Sequence, residues 1–151
     1  MRIILKAEIV INSDTLTPML RGTVSRLKGA VHDNALYWGQ ILEESIQETI
    51  SGTGKGRIYF DTPVGIHQAS APGDPPAYMT GNLFRSFQTK ILSISNYITY
   101  VAVGSPLSYA AWLEFGTSRI EERPYMQASV ERARVDIEKN IRGFWRQVFV
   151  L

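Results

Sequence analysis

His67 is the residue of this 151-residue chain that comes closest to a catalytic setting, with Asp61, Ser70, Asp74 and Ser86 on either side of it. A hydrolase would use His67 as the base, Asp74 to orient the imidazole, and Ser70 or Ser86 as the nucleophile. That chemistry needs a fixed hydrogen-bond relay and an oxyanion pocket. The stretch "SAPGDPPAYMTGNLFRSF", Ser70 to Phe87, is proline-rich and polar, and nothing in it predicts either. The other histidine, His32, stands beside Asp33 in a helical pattern and reads as a surface residue.

Other chemistries are narrower still. Cysteine is absent, which excludes disulfides, thiolate nucleophiles and cysteine-held zinc. No H-x-x-x-H, H-E-x-x-H or calcium-loop spacing occurs, and Glu121 and Glu122 adjoin Arg123, which predicts a local ion pair. "GTGKGR" (52–57) has the wrong spacing for a phosphate loop and runs toward a strand pattern. The expectation is no catalytic residue, no cofactor, no metal and no small-molecule substrate.

Basic residues offer one further possibility. Arg132, Arg134, Lys139, Arg142 and Arg146 share the last helical stretch, and Lys55 and Arg57 share a glycine turn. Phosphate contacts require cations facing one way. Glu131, Asp136 and Glu138 interrupt the set, and the formal net charge is only +2. A solvated helix back is the plainer reading, and a DNA surface is the alternative.

The elements around these residues are legible from periodicity. Ile3, Leu5, Ala7, Ile9 and Ile11 alternate with polar residues, which predicts a half-buried strand. "NSDT" breaks the pattern, and Thr17-Pro18 provides a helix start. Leu20, Val24, Leu27, Val31, Ala35, Trp38, Leu42, Ile46 and Ile50 then step by three or four. They predict one long amphipathic helix, bent near Gly39 and closed at Ser51-Gly52. "RIYFD" reads as a short strand, followed by the proline-rich loop with a helical turn around Leu83, Phe84 and Phe87. "KILSIS" and "YITYVAV" read as a hairpin turning at Ser95-Asn96. Tyr109, Trp112, Leu113 and Phe115 fall on a short helix stopped by Gly116. From Pro124 a second long helix carries Met126, Val130, Ala133, Ile137, Ile141, Phe144 and Val148 on one stripe. This order predicts an α+β fold, an antiparallel sheet of about four strands packed by two long helices, with an extended proline-rich loop. No composition break divides residues 1–151, so one domain is expected. Neither a signal peptide nor a membrane span is legible, so a soluble chain is expected.

Two stretches are more specific than composition. Pro72-Gly73-Asp74-Pro75-Pro76 precedes Thr80-Gly81-Asn82-Leu83; later come Tyr109-Ala110, Glu114-Phe115-Gly116-Thr117 and Arg123-Pro124. In this order and spacing the chain resembles the bacteriophage tail-completion or head–tail joining proteins of long-tailed phages, over roughly residues 15–142. The start "MRIILKAEIVINSD" and the end "GFWRQVFVL" depart from that pattern and are read as docking surfaces.

The resemblance implies a structural virion protein without enzymatic activity, made in the host cytoplasm and placed at the neck or upper end of the tail. It implies a homo-oligomeric ring, expected to be hexameric, touching connector and tail proteins, with genome DNA passing through a lumen that the last helix would line. A tail terminator and a small non-specific DNA-binding protein are the alternatives. Proline stiffens the 72–76 arm and lowers its ordering cost on docking. The arm of residues 61–80 is therefore expected to reach across a ring interface or onto the adjoining neck layer, or else to fold over its own sheet. In Glu114-Phe115-Gly116-Thr117, Phe115 is expected to anchor the short helix on the core and Gly116 to take a left-handed exit. Glu114 is expected to pair with Arg123 or with a basic residue of a neighbour.

Overall fold

The long helical stripe of residues 18–50 organises the molecule, because a helix of this length buries its apolar face only by lying across other elements. In the structure, a computed structural model that describes residues 2–8, 18–95 and 98–149, this helix is α1 (Pro18–Thr49). It follows β1 (Arg2–Glu8) and precedes β2 (Ile58–Thr62), β3 (Gly65–Gln68), α2 (Asn82–Ser86), β4 (Gln88–Ile94), β5 (Ile98–Gly104), α3 (Ser108–Phe115) and α4 (Met126–Phe149). The expected strand residues Ile9 and Ile11, the helix start at Thr17 and the turn residue Asn96 lie outside the described residues. Among the described residues no helix is long and apolar enough to cross a membrane.

The main sheet has three antiparallel strands in the order β1-β5-β4. Its register sets Ile3 and Thr89 beside Val103, and Leu5 and Ile91 beside Val101. Val101 and Val103 are fully buried on that face, where α1 crosses all three strands. The chain is thus α+β and antiparallel, as its periodicities predict. The count within one sheet differs from expectation: β2 pairs with β3 in a separate two-stranded sheet. β3 holds only "GIHQ", too short an alternation to announce a strand inside a loop.

α1 lies between the sheet and α4. On the sheet side, Leu42, Ile46 and Ile50 join Phe87, Val103, Tyr125 and Met126 in one core cluster. Phe144 from the aromatic C-terminal stretch packs on a second cluster with Val31, Ala35 and Val101, so part of that stretch is core and not a docking surface. Along the α1–α4 seam the buried polar groups satisfy one another: Ser45 Oγ donates to the Ser129 carbonyl at 2.9 Å, and Ser129 Oγ lies 2.9 Å from Thr49 Oγ1. Trp38 Nε1 donates to Asn140 Oδ1 at 2.7 Å. Such pairing is what lets polar side chains sit in a seam of low dielectric.

Gly39 does not break α1, which is continuous through it. A Cβ there would stand 2.5 Å from Thr89 Cγ2 and 2.8 Å from Val101 Cγ1. The glycine is a contact point at which helix backbone meets β4 and β5, and both opposing side chains are β-branched and stiff. Alanine is about 1 kcal/mol the better helix former. Gly39→Ala is nevertheless expected to lower stability by about 1–3 kcal/mol through overpacking, read as a lower urea midpoint with an unchanged slope.

Candidate functional site

The motif residues of the two specific stretches meet at the junction of α3, the 116–125 turn and the proline-rich segment. Glu114 sits in the last turn of α3, and Gly116 ends the helix with φ 68 and ψ −179. Only glycine adopts that region readily. A Cβ would also meet the Glu122 nitrogen and Ile120 oxygen at 3.0 Å. Thr117 closes the reversal: its nitrogen donates to the Ile120 carbonyl at 2.7 Å, and its Oγ1 accepts from the Arg119 and Ile120 nitrogens. The Arg123 nitrogen then donates back to the Leu113 carbonyl at 2.7 Å.

This reversal delivers the start of α4 to the Glu114 carboxylate. Glu114 is 7% exposed, and its Oε2 accepts from the backbone nitrogens of Tyr125 at 2.8 Å and Met126 at 3.0 Å. Unpaired N–H groups and the positive end of the helix dipole favour a carboxylate there. Glu114 is therefore a helix cap supplied from another helix, not the partner of Arg123 that the sequence suggests. Tyr125 is wholly buried, donates its hydroxyl to the Ala110 carbonyl at 3.0 Å and meets Phe87 edge-on with ring centroids 5.8 Å apart. Burial, reinforced by the Glu114 charge, pushes its phenol far above the usual range.

Arg123 turns the other way. Its guanidinium donates to the carbonyl and hydroxyl oxygens of Ser70 and lies 3.4 Å from the Ala71 carbonyl. Among the described residues it forms no ion pair with Glu121 or Glu122, contrary to the sequence expectation; three acceptors at the base of the proline segment hold it instead. The Gly73 nitrogen donates to the Glu122 carbonyl, and the Tyr78 nitrogen to the Gly52 carbonyl, both at 3.0 Å. Pro72, Gly73, Asp74, Pro75 and Pro76 are thus tied to their own chain at both ends. Pro76 is buried and Asp74 half-buried. A cavity of about 350 Å³ lies beside the segment, lined by His67, Ser70, Tyr78, Phe84, Tyr109 and Arg123 among others.

Phe115 does not anchor α3 on the core: it is 68% exposed, and Trp112 is exposed beside it. Ala110 and Glu114 supply the buried face of that helix. His67 is half-buried at the cavity, but Ser70 Oγ is held by Arg123, and Ser86 Oγ bonds the Leu83 carbonyl and Ser105 Oγ. No relay from His67 to either serine is formed. His32 is half-buried, not a surface residue. The α4 cations are drawn into local pairs: Arg132 with Glu48 at 3.6 Å, Arg134 and Arg142 with Glu138 at 2.7 and 3.8 Å, and Lys139 with Asp136 at 3.1 Å. Arg134 holds the Glu138 carboxyl below its usual range. Arg146 is exposed on the same helix.

Sequence reasoning missed Tyr125, because its role depends on a carbonyl one helix away. It also missed Phe60 and Ile66, which are 69% and 72% exposed on the β2–β3 hairpin.

Two outcomes follow from the cap. Glu114→Ala is expected to lower unfolding free energy by about 2–4 kcal/mol, since two buried N–H groups lose a charged acceptor; Glu114→Gln, which keeps a carbonyl oxygen, loses less. Urea titration of both variants checks the order. Tyr125 binds its proton more tightly folded than unfolded, so its contribution holds below the unfolded value of 10.0 and is lost as pH rises beyond it. Tyr125→Phe is expected to cost about 1–2 kcal/mol at neutral pH and to flatten the alkaline fall in stability, followed by urea midpoints across that range.

No protein-family model, curated protein or solved structure matches the chain.

Proposed function

We propose that this chain is a non-enzymatic structural subunit of a phage virion, a tail-completion or head–tail joining protein that assembles as a homo-oligomeric ring at the neck. The ring, hexameric in this reading, bridges connector and tail proteins at the DNA-filled head. The observation that carries the proposal is the amount of large apolar surface left bare. Phe60 and Ile66 on the hairpin, Ile94 on β4, and Trp112 and Phe115 on α3 are all at least half exposed. Phe60 and Ile66 share one hairpin and Trp112 and Phe115 one short helix, and such clusters of bare apolar residues mark surfaces that other chains cover. The motif order supports the same reading, since its pieces fasten one another and leave the apolar residues outward.

Genome contact is a minor part of this proposal. The α4 cations are largely matched by carboxylates, so any contact with DNA in a lumen is sequence-independent and weak. Light scattering on purified protein is expected to give a mass several times that of one chain. Mass spectrometry is expected to find the protein in mature particles. A monomer at every concentration, absent from particles, contradicts the reading. Fluorescence anisotropy with a short duplex at physiological salt is expected to show no binding by the isolated subunit; tight binding places the DNA-binding alternative first.

A further inference from the structure

The β2–β3 hairpin stands apart from the body: β2 and β3 make their extensive contacts only with each other. Strand alternation puts Ile58 and Ile66 on one face and Tyr59 and His67 on the other, and Phe60 lies where the register shifts between Tyr59 and Thr62. Ile58 is 48% exposed, and Phe60 and Ile66 more so. A two-stranded hairpin is marginal in water without a surface to pack on. This one carries Ile58, Phe60 and Ile66 bare and close together, the kind of cluster that marks an interaction patch.

A receiving surface of mixed polar and apolar character lies elsewhere on the chain. The face of the main sheet opposite α1 has the rows Ile4–Ala102–Lys90 and Arg2–Gly104–Gln88. Small residues at the centre of these rows leave a hollow. It is a cavity of about 160 Å³ lined by Arg2, Lys90, Leu92, Ala102, Gly104 and Pro106 among others. A volume of about 150 Å³ takes a benzene ring. Ile4 and Leu92 are exposed apolar neighbours on the same face, and the Arg2 and Lys90 cations at the rim suit the face of an aromatic ring.

We propose that the hairpin of one copy docks on the open sheet face of a second copy, with Phe60 seated in this hollow. The inference rests on the ring reading and specifies its contact. A second copy is the occupant because one chain carries both the apolar knob and a hole of its size, at separate places. Such a contact is heterologous, so every subunit gives one hairpin and receives one, and the ring reading requires that the rotation between neighbours closes. Ring closure gives each subunit two such contacts, so that modest individual contacts add up to a stable assembly. Strand addition to the β4 edge is disfavoured, because the register of β4 on β5 slips between Ile91 and Ser93 and an irregular edge is a poor template.

Complementing variants test this contact. Phe60→Asp keeps the receiving face and loses the knob; Leu92→Asp keeps the knob and spoils the face. Both positions are exposed, and circular dichroism melts are expected to match the parent. Sedimentation is expected to show each variant weakened in self-association by at least about thirtyfold, whereas an equimolar mixture forms a one-to-one dimer. Ala102→Leu, which fills the hollow without adding charge, is expected to weaken assembly in the same way should Leu92→Asp melt early. If the parent protein assembles and Phe60→Asp assembles equally well, the docking inference is overturned and the ring reading stands. A mixture that associates no more than either variant alone also overturns the inference. A parent protein that never associates overturns both.

Discussion

The Glu114 carboxylate on the first amides of α4 is the constraint that the candidate site depends on. It fixes where α4 begins, and with it the line on which α4 packs along α1. It also sets the length of the turn from Gly116 to Arg123, because that segment must return the chain to the residue it left. Arg123 emerges from the turn aimed at Ser70 and Ala71 and so ties down the base of the proline segment. Removing the carboxylate leaves two donors and a helix dipole unanswered in a buried site, the costly case for polar groups.

Most of the motif residues make internal contacts, whereas Phe115, itself a motif residue, lies bare. Glu114, Gly116, Thr117 and Arg123 make internal contacts, and the proline segment is held by main-chain bonds at Gly73 and Tyr78. The part that projects is the hairpin just before it, where Phe60 and Ile66 lie bare. A stiff arm was the expectation for residues 61–80. Main-chain bonds at Gly73 and Tyr78 hold the segment to its own chain, and the front of that range, β3 with its partner β2, carries the bare apolar residues.

Elements with long periodic patterns were readable from residues alone. The α1 stripe, the α4 stripe and the β4–β5 hairpin each repeat their signal several times, and the helix ends at Thr49 and Gly116 carry glycine nearby. β3 was not readable, because four residues give one alternation and tertiary pairing decides the rest. Gly39 looked like a bend because propensity is local, whereas its role is set by Thr89 and Val101 on distant strands. Phe115 looked like an anchor because aromatic residues are commonly buried, but Ala110 and Glu114 occupy the inward face of α3. Glu114 and Arg123 were identified as important, and their partners were not, since backbone amides and carbonyls carry no sequence signature.

The central claim is that Glu114, Gly116, Thr117 and Arg123 are internal fasteners and that the proposed contact between copies lies on the hairpin and the open sheet face. Hydrogen–deuterium exchange on the protein in its dissociated and assembled forms tests this most directly. The account predicts new protection on assembly at residues 58–68 and 88–94, with residues 114–126 already protected in the dissociated form and unchanged. New protection confined to residues 72–80 and 114–123, with the hairpin unaffected, would contradict it.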